Sequence, residues 1–232
     1  MECLIVIPAR GGSKGIPHKN IKELCGRPLI CYSIDVARKF TSDENICVTT
    51  DDDQIIKIVE DYGLKVPFKR PDYLATDTAG SSDVIKHAYE FFEAQGKKYD
   101  VLILLQPTSP FRKVEFIREA VALYDDTLDQ VVSVQEAASN PYYNCFEEDS
   151  DGFLVMSKTL QNKLVRRQDA PKAWEYNGSI YVINPKSLKE KCLGGFTKKK
   201  KFVMDKFYSI DLDTLFDWKV AEMLLTEKLV EI

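Results

Sequence analysis

Apolar residues in this chain fall into two alternating rhythms. Short, nearly continuous runs occur at Cys3-Leu-Ile-Val-Ile7, Asn45-Ile-Cys-Val-Thr-Thr50, Val101-Leu-Ile-Leu-Leu105 and Val131-Val-Ser-Val-Gln135, and they predict strands of a buried, mostly parallel sheet. Between them the spacing becomes helical. Residues 27–39 carry Ile30, Ile34 and Ala37 behind a proline suited to a first helical turn, and Asp51-Asp-Asp53 opens a helix with Ile55, Ile56 and Val59 that stops at Gly63. Residues 83–95, capped by Ser81 or Ser82, align Val84, Ile85, Ala88, Phe91 and Phe92, with His87 packed beside that stripe. A helix over 114–124 follows the most apolar strand, which the pattern places at the centre of the sheet.

The rhythm fails between 138 and 171, where Asn-Pro, Asp-Gly and many charges predict an inserted excursion with a β-hairpin at Gly152-Phe-Leu-Val-Met156, of the kind that reaches another subunit. Strands resume at Asn177-Gly-Ser-Ile-Tyr-Val-Ile183 and Lys201-Phe-Val-Met-Asp205. The extended Tyr208-Ser-Ile-Asp-Leu-Asp213 then leads to a helix over 214–229 with Leu215, Trp218, Leu224, Leu225 and Leu229 inward. The β-α alternation predicts one α/β domain over 1–232.

Composition narrows the class. A chain of 232 residues, 44% hydrophobic, can bury one substantial core. A net charge of −4 with mixed signs offers no basic face for nucleic acid, and Lys198-Lys-Lys-Lys201 reads as a solvated turn. Six cysteines without C-x-x-C spacing argue against a disulfide framework, and no segment has the roughly twenty apolar residues of a membrane span. With no signal segment at the start, these features predict a soluble protein of a reducing, cytoplasmic compartment, without membrane or nucleic-acid partners.

Candidate chemistry begins where the first strand ends. Pro8-Ala-Arg-Gly-Gly-Ser-Lys-Gly-Ile-Pro-His-Lys-Asn20 puts Arg10, Lys14 and Lys19 among Gly11, Gly12 and Gly15, so backbone N–H groups and cations can cradle a phosphate chain. It fits neither the Walker nor the dinucleotide spacing, and a glycine turn with solvated cations accounts for the loop equally well. Gln106-Pro-Thr-Ser-Pro-Phe-Arg112 leaves the central strand at the carboxyl edge where open sheets bind ligands, placing Gln106, Ser109 and Arg112 there. Asp211 and Asp213 alternate along an extended segment about 7 Å apart, which suits a shared Mg²⁺ facing phosphate, although either could instead cap the last helix. Arg166-Arg-Gln-Asp169 and Asn177-Gly-Ser-Ile-Tyr181 are candidates for a polar, anionic second substrate, or for surface charge.

These motifs, with Thr50-Asp51, Arg70-Pro71, Arg167-Gln168 and Ser209-Ile-Asp-Leu-Asp213, occur in an order that resembles the acylneuraminate cytidylyltransferases, also called CMP-sialic acid synthetases. The resemblance spans nearly the whole chain. It implies a nucleotidyltransferase-type, Rossmann-like three-layer α/β fold, mostly parallel, with 138–171 as a dimerisation arm and a homodimer as the assembly. It implies transfer of CMP from CTP to a nine-carbon keto-sugar acid with release of pyrophosphate. By the same resemblance, Ala9, Arg10, Gly11, Ser13, Lys14, Lys19, Asn20, Arg70, Ala79 and Ser81 bind CTP, and Gln106, Arg167, Asn177 and Tyr181 bind the sugar acid. Asp211 and Asp213 hold Mg²⁺, with Mn²⁺ as the alternative ion, and Arg10, Lys19 and Asp211 are catalytic. His18, Phe111 and Glu175-Tyr176 depart from frequent family residues, and no paired phenylalanines stand near Cys192, so the acid is open: sialic acid or a close relative, with Kdo, legionaminic, pseudaminic or deaminated neuraminic acid as alternatives. A metal-dependent glycosyltransferase and a non-catalytic nucleotide sensor are the competing classes.

Overall fold

A computed structural model describes residues 1–12, 15–76, 79–160 and 166–232. The apolar runs become β1 (Cys3–Pro8), β4 (Ile46–Thr49), β5 (Val101–Leu105) and β6 (Gln130–Glu136), and a two-residue hairpin, β2 (Glu23–Leu24) with β3 (Arg27–Pro28), follows the glycine loop. Helices α1 (Leu29–Phe40), α2 (Asp53–Asp61), α3 (Ser81–Ala94) and α4 (Val114–Ala122) alternate with them. The chain closes with β9 (Trp174–Ile183), α5 (Pro185–Glu190), β10 (Lys199–Val203) and α6 (Leu215–Thr226). Between β6 and β9 the arm carries β7 (Phe146–Glu148) and β8 (Leu154–Met156) as an antiparallel hairpin, as expected from the break in periodicity.

The main sheet has six strands in the order β10-β6-β9-β5-β1-β4. Strand β9 alone in this sheet is antiparallel to its neighbours; β1 pairs in parallel with β4 and β5, and β10 with β6. Separate apolar clusters fill the two faces of the sheet, and β5 is buried throughout, as a central strand with helices on both sides must be. A third cluster, built on Trp218, Phe111 and Leu212, fastens α6 beside the hairpin of β2 and β3. This is the expected three-layer α/β architecture.

Several local expectations are corrected. Pro28 precedes α1 at its N-cap instead of entering the first turn, and α3 starts at Ser81 behind Gly80 without a side-chain cap. The Ser82 hydroxyl accepts instead from the Leu193 N–H at 2.8 Å. The lysine run is no turn: Lys199, Lys200 and Lys201 lie in edge strand β10, where charge blocks further pairing, and their ammonium groups reach Tyr176, Asp125 and Trp174. Helix α6 ends at Thr226, short of the expected 229; Trp218, Ala221 and Leu224 face inward, but Leu215 at its start and Leu229 beyond its end are exposed. All six cysteines are free thiols, and no helix among the described residues is long and apolar enough to cross a membrane.

Asp129 locks the far edge. Its buried carboxylate accepts from the N–H groups of Thr197 (2.8 Å) and Lys198 (2.9 Å), from the Ser187 hydroxyl and from Lys191, which holds it well below the ordinary carboxylate range. Because the folded pKa is depressed, this stabilisation is complete above the unfolded value of about 3.9 and fades as pH falls toward the folded one. Asp129→Asn is expected to cost about 2 kcal/mol in urea unfolding at pH 7, with the difference shrinking below about pH 4.

Candidate active site

The carboxyl ends of β1, β4 and β5 open onto a cleft of about 410 Å³ lined by Arg10, Lys19, Asn20, Arg70, Ala79, Ser81 and Gln106, together with Thr108. Seven residues expected to contact substrate thus share one cavity, and each arrives from a different local device. Arg10 leaves β1 in an irregular loop whose carbonyl accepts from Asn20 Nδ2 at 3.0 Å, so Asn20 braces the loop it ends. Gly11 donates its N–H to Asp51 at 3.2 Å, and a Cβ at that position would lie 2.3 Å from Asp52 Oδ2, so only glycine fits. Asp52 is occupied in capping α2 through Gln54 and Ile55. Ser13 and Lys14 fall outside the described residues. Arg70 is buried, its guanidinium donating to the Thr49 hydroxyl at 3.1 Å and to the Thr49 carbonyl; burial lowers its pKa, while Asp51 opposes that shift.

The decisive contact links opposite ends of the chain. Lys19 Nζ donates to the Leu212 carbonyl at 2.6 Å and pairs with Asp213 Oδ1 at 3.0 Å, its side chain only 10% exposed. Gly15 packs so closely that a Cβ would meet the Asp213 carbonyl oxygen at 2.2 Å. Leu212 turns into the core and donates its N–H to the Thr108 carbonyl at 2.8 Å, which leaves Asp211 and Asp213 facing outward on either side of it. Neither aspartate caps the last helix. Thr214 does, with Asp217 completing a capping box, so the role left open for the acidic pair goes to another residue.

Asp211 keeps an exposed face, yet desolvation by the groups packed around its carboxyl raises its pKa; the Thr108 hydroxyl opposes this, Asp213 adds to it and Lys19 offsets it. Asp213 stays open, its side chain 73% exposed. Among the described residues no cluster of three His, Cys, Asp or Glu forms. Two carboxylates beside a cationic cleft fit Mg²⁺, which takes its remaining ligands from water and phosphate.

On the acceptor side the expectations divide. Gly178, at φ 71°, brings the β9 backbone against Gln106, Ser109 and Asp211; a Cβ there would lie 2.9 Å from Ser109 Oγ and 3.1 Å from Gln106 Oε1. Tyr181 is half-buried; desolvation, then Asp211 and Tyr176, pushes its pKa up to about 12. Asn177, expected to read the sugar, is a correction. It is 3% exposed, and its amide is spent on the Ser133 hydroxyl, the Ser179 N–H, the Ser209 hydroxyl and Met204 Sδ. Such an amide shapes the bend at Gly178 and has no donor or acceptor left for a ligand. Arg167 does not reach the cleft of its own chain: it sits on the arm and donates to the Ala138 carbonyl at 2.9 Å, lining a separate hollow at the arm's base. Gly178 and Thr108 are the positions that reading by residue type missed, because a backbone approach and a brace to an aspartate leave no charge signature.

A family model described as Cytidylyltransferase matches residues 4–230. The chain belongs to the cytidylyltransferase family. This cytidylyltransferase, a nucleotidyltransferase by family, is 39% identical over 236 residues to the CMP-N,N'-diacetyllegionaminic acid synthase of Legionella pneumophila, covering 100% of this chain and 97% of that protein. It is 30% identical over 224 residues to the pseudaminic acid cytidylyltransferase of Campylobacter jejuni, covering 97% and 96%. A solved CMP:2-keto-3-deoxy-manno-octonic acid synthetase complexed with CTP shares the fold at TM-score 0.70 and 16% identity, over 98% of this chain and 100% of that one.

In this cytidylyltransferase, Gly15→Ala is expected to part the glycine loop from the Asp213 backbone. Affinity for CTP, followed by titration calorimetry, should fall by about 100-fold while the melting temperature changes little.

Proposed function

We propose that this cytidylyltransferase transfers CMP from CTP to a nine-carbon keto-sugar acid, a nonulosonic acid of the sialic, legionaminic or pseudaminic kind, releasing pyrophosphate. The observation that carries the reading is the Lys19 contact, which sets a cation and two carboxylates at one cleft edge. Relatives named for legionaminic and pseudaminic acids over their full length support the acceptor class, as do the N-acylneuraminate cytidylyltransferases at 33–34% identity.

In this reading Ala9, Arg10, Gly11, Lys19 and Asn20, with Ser13 and Lys14, hold the triphosphate, and Arg70, Ala79 and Ser81 take the nucleoside. Gln106, Gly178 and Tyr181 face the acid. The anomeric hydroxyl attacks the α-phosphorus in line, and Arg10 and Lys19 neutralise the charge that builds on departing pyrophosphate. Asp211 and Asp213 would hold Mg²⁺, or Mn²⁺, which when bound neutralises phosphate oxygens and makes the phosphorus a better electrophile. No covalent enzyme intermediate is required. The arm, with Phe153 and Leu154 exposed near its tip, serves a homodimer in which Arg167 meets the partner's cleft.

A triphosphate needs more cation than a finished nucleotide sugar, and Arg10, Lys19 and Arg70 around one cavity favour the synthetase over a glycosyltransferase. Pyrophosphate release from CTP with a panel of N-acetylneuraminic, N,N'-diacetyllegionaminic, pseudaminic, deaminated neuraminic and Kdo acids should show turnover with a nonulosonic acid; turnover with Kdo alone, or with none, rejects the acceptor class. Asp211→Asn should lower kcat by about 100-fold or more with an unchanged melting curve. Chelation by EDTA should stop turnover, and added Mg²⁺ should restore it; full activity in EDTA would remove the metal from the account.

A further inference from the structure

Among the described residues, Arg112 forms no ion pair. It is 1% exposed, and every partner of its guanidinium is neutral: Nε donates to the Ser179 carbonyl and hydroxyl at 3.0 Å, Nη1 to the Ser33 hydroxyl at 2.9 Å, and Nη2 to the Gln106 carbonyl. Burying an arginine without a carboxylate beside it is expensive, and such a cost is retained where the charge or its geometry is used. The four bonds tie three elements together: the end of β5 at Gln106, β9 at Ser179, and α1 at Ser33. Gln106 and Ser179 flank the place where Gly178 closes on Gln106, Ser109 and Asp211. The Ser109 hydroxyl donates to the Asn177 carbonyl at 3.0 Å, so the loop after β5 and the bend in β9 are sewn together beside the clamp.

We propose that Arg112 is a positioning residue for the acceptor half of the reaction: its fork sets the wall of Gln106, Ser109 and Gly178, and its charge, hydrogen-bonded only to neutral groups, lies behind that wall, where the acid's carboxylate is drawn. The proposal rests on the acceptor class above. Burial brings the Arg112 pKa down to about 9, with Asp211 and then Tyr181 opposing, so the group stays charged at neutral pH. The carboxylate that bears on it is thus Asp211, at the reacting edge, and the nucleotide side of the cleft makes none of its hydrogen bonds. In the proposed reading Arg10 and Lys19 serve the phosphates and Arg70 the nucleoside, all from other elements. The fork geometry matters as much as the charge, because lysine cannot reach the Ser33 hydroxyl, Ser179 and the Gln106 carbonyl at once.

The test separates the two substrates of the enzyme. With the acid accepted in the panel, Arg112→Met is expected to raise KM for the acid by about 100-fold, while KM for CTP stays within about twofold. Arg112→Lys, which keeps the charge and loses the fork, should recover part of the acid affinity. Because the methionine variant could fail to fold, Ser33→Ala provides an independent arm: it removes one anchor from the far side of α1 and should raise the acid KM by about 3-fold, with CTP KM and the melting temperature near wild type. Equal rises for CTP and acid, or no rise for the acid in both Ser33→Ala and Arg112→Lys, would overturn the proposal. A wild-type enzyme that turns over none of the acids would sink the acceptor class and this inference with it, a failure distinct from turnover with an unaltered acid KM.

Discussion

Lys19 is the hinge of the whole arrangement. Its ammonium, almost fully enclosed, satisfies the Leu212 carbonyl and the Asp213 carboxylate, and through them joins a loop that begins the chain to a segment near its end. A buried ammonium needs such partners, since an unpaired charge in that position would destabilise the fold. The same contact brings positive and negative groups to one cleft edge, which nucleotide and metal chemistry both require.

Other features serve that meeting. Leu212 is pinned to the Thr108 carbonyl and packed into the cluster around Trp218, so the acidic segment cannot swing away from the cleft. The Thr214–Asp217 box starts α6 without drawing on Asp211 or Asp213. Gly11 and Gly15 allow approaches that a methyl group would prevent, and Gly178 does the same on the acceptor side. Glycine here permits close backbone contact at three points around one cavity.

Much of this was legible in the chain. Continuous apolar runs reported buried strands correctly, because a strand covered on both faces has no polar side to show. The same continuity hides direction, so β9 could be recognised as a strand but not as antiparallel to β5 and β6. Edge strand β10 was expected from Lys201, but its start at Lys199 and Lys200 escaped because lysines that protect an open edge look like solvated loop. Motif residues were found, but motif membership does not say which way a side chain faces. Asn177 and Arg112 therefore read as ligand contacts, whereas both are buried and spend their polar groups on the fold. Arg167 stands on the arm, and a single chain does not bring it to the cleft.

The account is tested most directly by calorimetric titration of CTP with Mg²⁺ into the wild type and Lys19→Met, alongside unfolding curves for both. If Lys19 joins the loop to the acidic pair around one triphosphate, the variant should stay folded and lose about 100-fold or more in affinity. A folded Lys19→Met protein that binds CTP as tightly as the wild type would contradict it.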